Sequence, residues 1–234
     1  MCVVALAWNA HPQWRVVMAG NRDEFHARPA AALERWNDLP GVIAGRDLTG
    51  GGTWAGVSEA GRLAVIVNVR GRPPDPAKLS RGGLVTDALT GASVQEFDAY
   101  NPFAMFAIDG GGASLATNVP EGSAFALPPG LHGLSNGQAD ETWPRKSRLQ
   151  TALALWLESG NADPATLLEP LSDEQPLGEG HSPIFIRNVA YGTRASTVFA
   201  IDLDGRGVAI ERRFGPGGVP LGDTRLDFRW PERP

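Results

Sequence analysis

Met1-Cys2-Val3-Val4-Ala5-Leu6-Ala7-Trp8 opens the chain and decides its fold. Val3 to Trp8 is an unbroken apolar run, as expected of a strand covered on both faces. Asn9-Ala10-His11-Pro12 supplies turn residues, and Trp14 to Ala19 reads as the returning strand of a hairpin. That second strand ends in Asn21-Arg22-Asp23-Glu24. In an antiparallel pair this end lies beside the start of the first strand, next to Cys2. Strand alternation places Asn21 and Asp23 on one face and Arg22 and Glu24 on the other.

Cys2 is the single cysteine of the chain. A small residue at position two normally allows the initiator methionine to be removed. Cys2 then carries a thiol and a free α-amine, with ordinary pKa values of about 8.5 and about 7.7–8.0. The amine is able to accept the thiol proton near neutral pH, directly or through one water, so nucleophile and base come from one residue. The bland reading is a small buried hydrophobe, which free cysteine usually is.

The 234 residues are enough for a large buried core, and 42% hydrophobic with 20% charged residues is a globular balance. The net charge of −5, with no basic run, argues against nucleic acid or an anionic membrane surface as partner. One cysteine excludes a disulfide framework and cysteine-rich metal sites. His11, His26, His132 and His181 show no metal-ligand spacing, so no metal is expected. No apolar run approaches the roughly 18–20 residues of a spanning helix. The apolar start has no Lys or Arg before Arg15, and a nucleophile at position two leaves no room for a cleaved leader. A cytoplasmic protein is expected.

Further along, residues 26–51 are punctuated by Pro and Gly around the short apolar segment Val42-Ile43-Ala44, which suggests a loop over the site. Gly50-Gly51-Gly52-Thr53 lacks the Lys of a phosphate loop and reads as a turn. Trp54 to Ser58 and Arg62 to Val69 form a hairpin, with Leu63, Val65, Val67 and Val69 on one face and Ala64, Ile66 and Asn68 on the other. Asn68 in so apolar a strand needs a partner or lines a site. Gly83 to Leu89 suits a short helix, and Ser93 to Glu96 a capping box. Phe103 to Ile108 and Ala113 to Asn118 form a third hairpin, and Leu131 to Ser135 a strand ending at Asn136. Pro144 to Ser159 carries the helical stripe Leu149, Ala152, Leu153, Trp156 and Leu157. A short helix is expected from Asp163-Pro164. Ile184–Ile186, Thr197–Asp202 and Val208–Phe214 read as strands, and the tail from about 215 as irregular. Hairpins interrupted by helices, without βαβ alternation, argue for antiparallel sheets with helices outside, in one domain spanning 1–234.

The motifs, in this order, resemble the NRDE family, also called the transport and Golgi organisation protein 2 family. The matching residues are Met1-Cys2, Asn21 to Phe25, Gly51-Gly52-Thr53-Trp54, Arg81-Gly82 and Tyr100-Asn101-Pro102-Phe103. Gly133-Leu134-Ser135-Asn136, Trp143-Pro144 and Tyr191-Gly192-Thr193-Arg194 follow. The resemblance implies an α+β, four-layer αββα sandwich of antiparallel sheets, as in N-terminal-nucleophile hydrolases such as bile-salt hydrolases and penicillin V acylases. Those enzymes also begin Met-Cys and carry Asn-x-Asp after the second strand, which Asn21 and Asp23 fit. They carry Arg just before that motif, where this chain has Gly20, with Arg22 in its middle.

The implied roles are a Cys2 nucleophile, Asp23 holding the α-amine, and an oxyanion hole from the Asn136 side chain and a backbone N–H near Asn68. Such a donor is worth about 3–4 kcal/mol. Arg194 would lower the thiol pKa. Asn21, Arg22 and Trp54 are expected on the substrate's side. The implied reaction is hydrolysis or transfer of a small acyl group from an amide or thioester, with no cofactor required. The alternative is a non-enzymatic carrier of haem or an acyl lipid in the same pocket, with Cys2, His11, His26 or His132 as possible axial ligands. A rival motif, Gly133-Leu134-Ser135-Asn136-Gly137, satisfies G-x-S-x-G, but the required helix does not follow the Ser. Oligomeric state is not legible in the sequence.

Overall fold

The computed structural model describes residues 2–71, 73–92, 96–137 and 143–232. Residues 93–95 of the capping box expected over Ser93 to Glu96 lie outside the described residues, as does Met1. The opening hairpin is β1 (Cys2–Trp8) and β2 (Trp14–Phe25). β3 (Ala30–Arg35), β4 (Val42–Asp47), β5 (Ala55–Ser58) and β6 (Arg62–Asn68) follow, then helix α1 (Arg81–Thr90). β7 (Phe103–Asp109), β8 (Gly112–Thr117), β9 (Ser123–Leu127) and β10 (Gly130–Leu134) precede helices α2 (Pro144–Glu158) and α3 (Leu168–Leu171). β11 (Tyr191–Asp202), β12 (Arg206–Phe214) and β13 (Pro220–Arg229) complete the chain.

The strands form two antiparallel sheets, ordered β10-β1-β2-β11-β12-β13 and β3-β4-β5-β6-β7-β8-β9. Every residue of β1 is buried, because its two faces meet different layers. Val3, Ala5 and Ala7 pack with Leu149, Leu153 and Trp156 of α2. Cys2, Val4, Leu6 and Trp8 pack with Leu63, Val65 and Val67 of β6, between the sheets. On the far side, Leu84, Val85 and Leu89 of α1 cover Ala64 and Ile66. The order of layers is therefore helix, sheet, sheet, helix. Each fully buried large apolar side chain contributes about 1.5–3 kcal/mol, so the three cores outweigh any surface interaction.

Three expectations change, and one strand, β9, is added. The expected loop at 26–51 contains β3 and β4, which form one end of the second sheet. β9 is an edge strand with mostly exposed side chains, so it leaves no apolar signature. The irregular tail contains β13, paired with β12 along its length although its side chains are largely exposed. Ile184–Ile186 is not a strand. Its backbone groups are engaged elsewhere: Ile184 O accepts from the side chains of Asn21 and Arg145, and Ile186 N donates to Thr193 Oγ1.

Candidate active site

The hairpin register sets Cys2 opposite Arg22. From Val16 onward, even-numbered residues of β2 share the inter-sheet side with Cys2, and odd-numbered residues face the helices. The expected alternation of Asn21 and Asp23 against Arg22 and Glu24 holds, but the sulfur lies on the arginine's side. A cleft of about 420 Å³ opens there, lined by Cys2, Arg22, Trp54, Asn68, the loop 74–76 and Arg81. Gly20, two residues before Arg22, lies beneath Trp54: a Cβ there would sit 3.3 Å from the indole ring and 2.8 Å from Val3 O. The indole thus occupies the space above a position where no side chain fits.

Burial raises the pKa of the Cys2 thiol, and the charge of Asp23 adds to the effect. The Asp23 backbone N–H and the Arg22 guanidinium pull the other way. The net direction is upward, so the sulfur needs a base to become a nucleophile. Arg22 is 3.6 Å from Asp47 and 3.9 Å from Glu24. Asp47 is more tightly held by Arg28, at 2.8 Å, and by the backbone N–H groups of Thr49 and Gly50.

Asn21 and Asp23 fasten the strand to the helix layer. Asn21 is fully buried; its Nδ2 donates to Leu171 O (2.8 Å) and Ile184 O (3.0 Å), and its Oδ1 accepts from Ser196 Oγ (2.7 Å). Its amide is fully engaged, and it does not line the cleft. Asp23 accepts from Arg145 Nη2 at 2.8 Å and Thr193 Oγ1 at 2.7 Å. Burial raises its carboxyl pKa while Arg145 opposes that shift. Breaking such a buried pair by removing one partner costs about 3–5 kcal/mol. Arg145, on α2, carries the partner charge and was not singled out from the sequence. Its signal there was faint, a basic residue opening an otherwise amphipathic helix.

Asn136 lies just past the Val4–Leu134 pair of β1 and β10, at the Cys2 end of the strand. Its Nδ2 donates to Asn68 O at 2.9 Å, and its buried Oδ1 has no partner among the described residues. The backbone N–H groups after Asn68 are spent: Val69 N donates to Pro102 O and Arg70 N to Asn136 O. The free backbone donor expected near Asn68 is therefore not found at those positions. The Asn68 residue itself lines the cleft. Arg194 stands at a β-bulge between Thr193 and Ala195. Its Nη1 donates to Phe25 O (2.8 Å) and Arg28 O (2.9 Å), and it lines a separate small cavity with Trp54 and Glu211. Arg22, not Arg194, faces the sulfur across the hairpin.

Ser135 is buried and donates to Cys2 O at 3.3 Å. His11 lies by Gly130, His132 Nε2 is 2.8 Å from Pro128 O, and His26 abuts Gly192, all outside the Cys2 cleft. Among the described residues no group of His, Cys, Asp or Glu side chains is arranged to hold a metal ion. Among them, too, no helix is long and apolar enough to cross a membrane.

A family model described as Transport and Golgi organisation 2 matches residues 1–216. The Transport and Golgi organization protein 2 homolog of Homo sapiens is 28% identical, over 96% of this chain and 97% of its own length. The Bos taurus homolog is 29% identical, over 91% of this chain and 92% of its own. Among solved structures, the Caenorhabditis elegans N-acylethanolamine-hydrolyzing acid amidase ortholog superposes with a TM-score of 0.52 at 13% identity, covering 84% of this chain and 92% of that one. Penicillin V acylase from Agrobacterium tumefaciens gives 0.51 at 13% identity, covering 97% and 86%. At such identity these structures establish the fold, that of N-terminal-nucleophile hydrolases.

Proposed function

The chain belongs to the Transport and Golgi organisation 2 family, and on that premise we propose that it is a cysteine N-terminal-nucleophile enzyme. It cleaves or transfers a small acyl group carried as an amide or thioester. The observation that supports this reading is the Cys2 side chain at the wall of a polar cleft, facing an arginine across the first hairpin. With Met1 removed, the Cys2 α-amine takes the thiol proton and the sulfur attacks the acyl carbon. The S–C bond forms as the carbonyl becomes an oxyanion. The second hydrogen of the Asn136 amide and the side chain of Asn68 receive that charge. The amine then returns the proton to the leaving nitrogen or sulfur as its bond to carbon breaks. Water, or an acceptor nucleophile, releases the acyl group from Cys2. Arg22 supports the thiolate, and Asp23 orients the amine from the neighbouring strand.

The test pairs intact mass with activity. Purified protein should lack Met1, and Cys2→Ala should abolish hydrolysis of any acyl amide or thioester that the wild type cleaves. Retained Met1, or undiminished turnover in Cys2→Ala, removes the reading. A carrier of haem finds less support. Of Cys2, His11, His26 and His132, the three histidines stand outside the cleft, so the residues lining it do not fit a histidine-ligated haem.

A further inference from the structure

Arg81 opens α1 and reaches the same cleft as Cys2. Its Nη1 donates to Pro102 O at 3.0 Å, which holds the guanidinium at the cleft wall. Most other charged groups of the cleft have partners, although Arg22 Nη1 is buried with none among the described residues. Arg28 and Arg22 share Asp47, Glu24 accepts from Phe25 N, and Lys78 Nζ donates to Asp98 O and Tyr100 O. Asp75 turns back on its own loop and accepts from Ala77 N. Asp23 accepts from Arg145 and Thr193. Arg81 forms no ion pair among the described residues. Burial lowers its pKa, and the charges of a Cys2 thiolate and of Glu24 act in the opposite sense.

The packing that delivers Arg81 is tight. A Cβ on Gly52 would lie 2.4 Å from the carbonyl carbon and oxygen of Gly82, and Thr53 N donates to Gly82 O at 3.3 Å. Backbone therefore meets backbone where the 50–53 turn touches the first turn of α1. A fixed, desolvated guanidinium with no carboxylate of its own is suited to bind planar oxyanions from outside. Arg22 already faces the sulfur, so Arg81 is not needed for that task.

We propose that Arg81 receives a negatively charged group of the substrate, a carboxylate or phosphate close to the acyl carbon, so that the cleft takes acidic acyl compounds. The inference rests on the acyl-transfer reading, but its test does not require turnover. Cys2 is alkylated with iodoacetate, an anion, and with neutral iodoacetamide. The ratio of the two rates is compared with that of a free cysteine derivative. In the wild type the ratio exceeds the free-thiol value, and inorganic phosphate or glutarate slows alkylation saturably; which of the two protects separates phosphate from carboxylate recognition. Arg81→Gln lowers the ratio by about tenfold, the size of one charge-assisted hydrogen bond. Arg81→Lys restores most of it. A wild-type ratio equal to that of the free thiol, failure of both anions to protect, or equal slowing of both reagents in Arg81→Gln overturns the proposal. So does a Cys2 that reacts with neither reagent. Should Arg81→Gln fail to fold, the wild-type ratio and the protection by anions decide alone. Full hydrolysis by Cys2→Ala alongside an intact iodoacetate preference would defeat the nucleophile and leave the anion site standing.

Discussion

At the scale of single residues, the site turns on which side of β2 the sulfur shares. The Cys2–Arg22 register places the guanidinium, rather than the Asp23 carboxylate, on the face of the thiol. Arg22 lowers the thiol pKa against the larger upward push of burial. Replacing Arg22 by Gln removes a charge that favours the thiolate, so the thiol pKa rises. The pH profile of Cys2 alkylation by iodoacetamide should move to higher pH, with a slower rate at pH 7. Arg194→Gln, whose guanidinium serves the Phe25 and Arg28 carbonyls, should leave the profile in place. The opposite ranking of the two variants would restore Arg194 as the arginine that matters. The sequence already carried Cys2, the polar run at the end of β2 and the Asn68–Asn136 pair. It did not carry the face. A slip of one residue in a hairpin register exchanges every side chain between faces, and the loop between Trp8 and Trp14 does not fix that register by itself.

Among elements, those legible in advance have both faces or one stripe in a core: β1, β2, β6, β7 and α2. Those missed lie at sheet edges or carry small side chains, as in Ala30-Ala31-Ala32 of β3 and the exposed β9 and β13. Gly50-Gly51-Gly52-Thr53 reads as a turn, yet Gly52 is also a contact point between elements. Gly52→Ala forces a Cβ into the Gly82 backbone, and the turn or α1 must move. The expected cost is that of overpacking, about 1–3 kcal/mol. Gly83 is the control, because a Cβ there meets nothing within 4 Å. Gly83→Ala should be neutral or stabilising by up to about 1 kcal/mol through helix propensity. Urea denaturation of both variants checks this. Equal stability of the two would mean that the close approach does not position α1.

For the whole molecule, the question is what ties the two sheets together besides the apolar core. At one edge three side chains cross between them: Glu211 Oε1 accepts from Leu33 N (2.8 Å), Arg213 Nη2 donates to Ala30 O (2.8 Å), and Arg35 Nη2 donates to Asp227 O (2.8 Å). Glu211 is the buried member, at 4% exposure. Burial raises its pKa, and the Leu33 N–H, Arg213 and Arg22 only partly offset that. The folded protein therefore holds this proton more tightly than the unfolded chain does. By linkage, Glu211 favours the folded state at low pH, and that contribution is lost as pH rises through the folded-state pKa. Glu211→Gln keeps the acceptor for Leu33 N and abolishes the ionisation. The variant should gain stability over the wild type at pH 8 and lose that advantage towards pH 5. Each 1 kcal/mol would register as about 2–4 °C in Tm at this chain length. Thermal melts of both proteins across that range measure it. Parallel curves would mean that the carboxylate is ionised without penalty, its neighbouring arginines outweighing the burial.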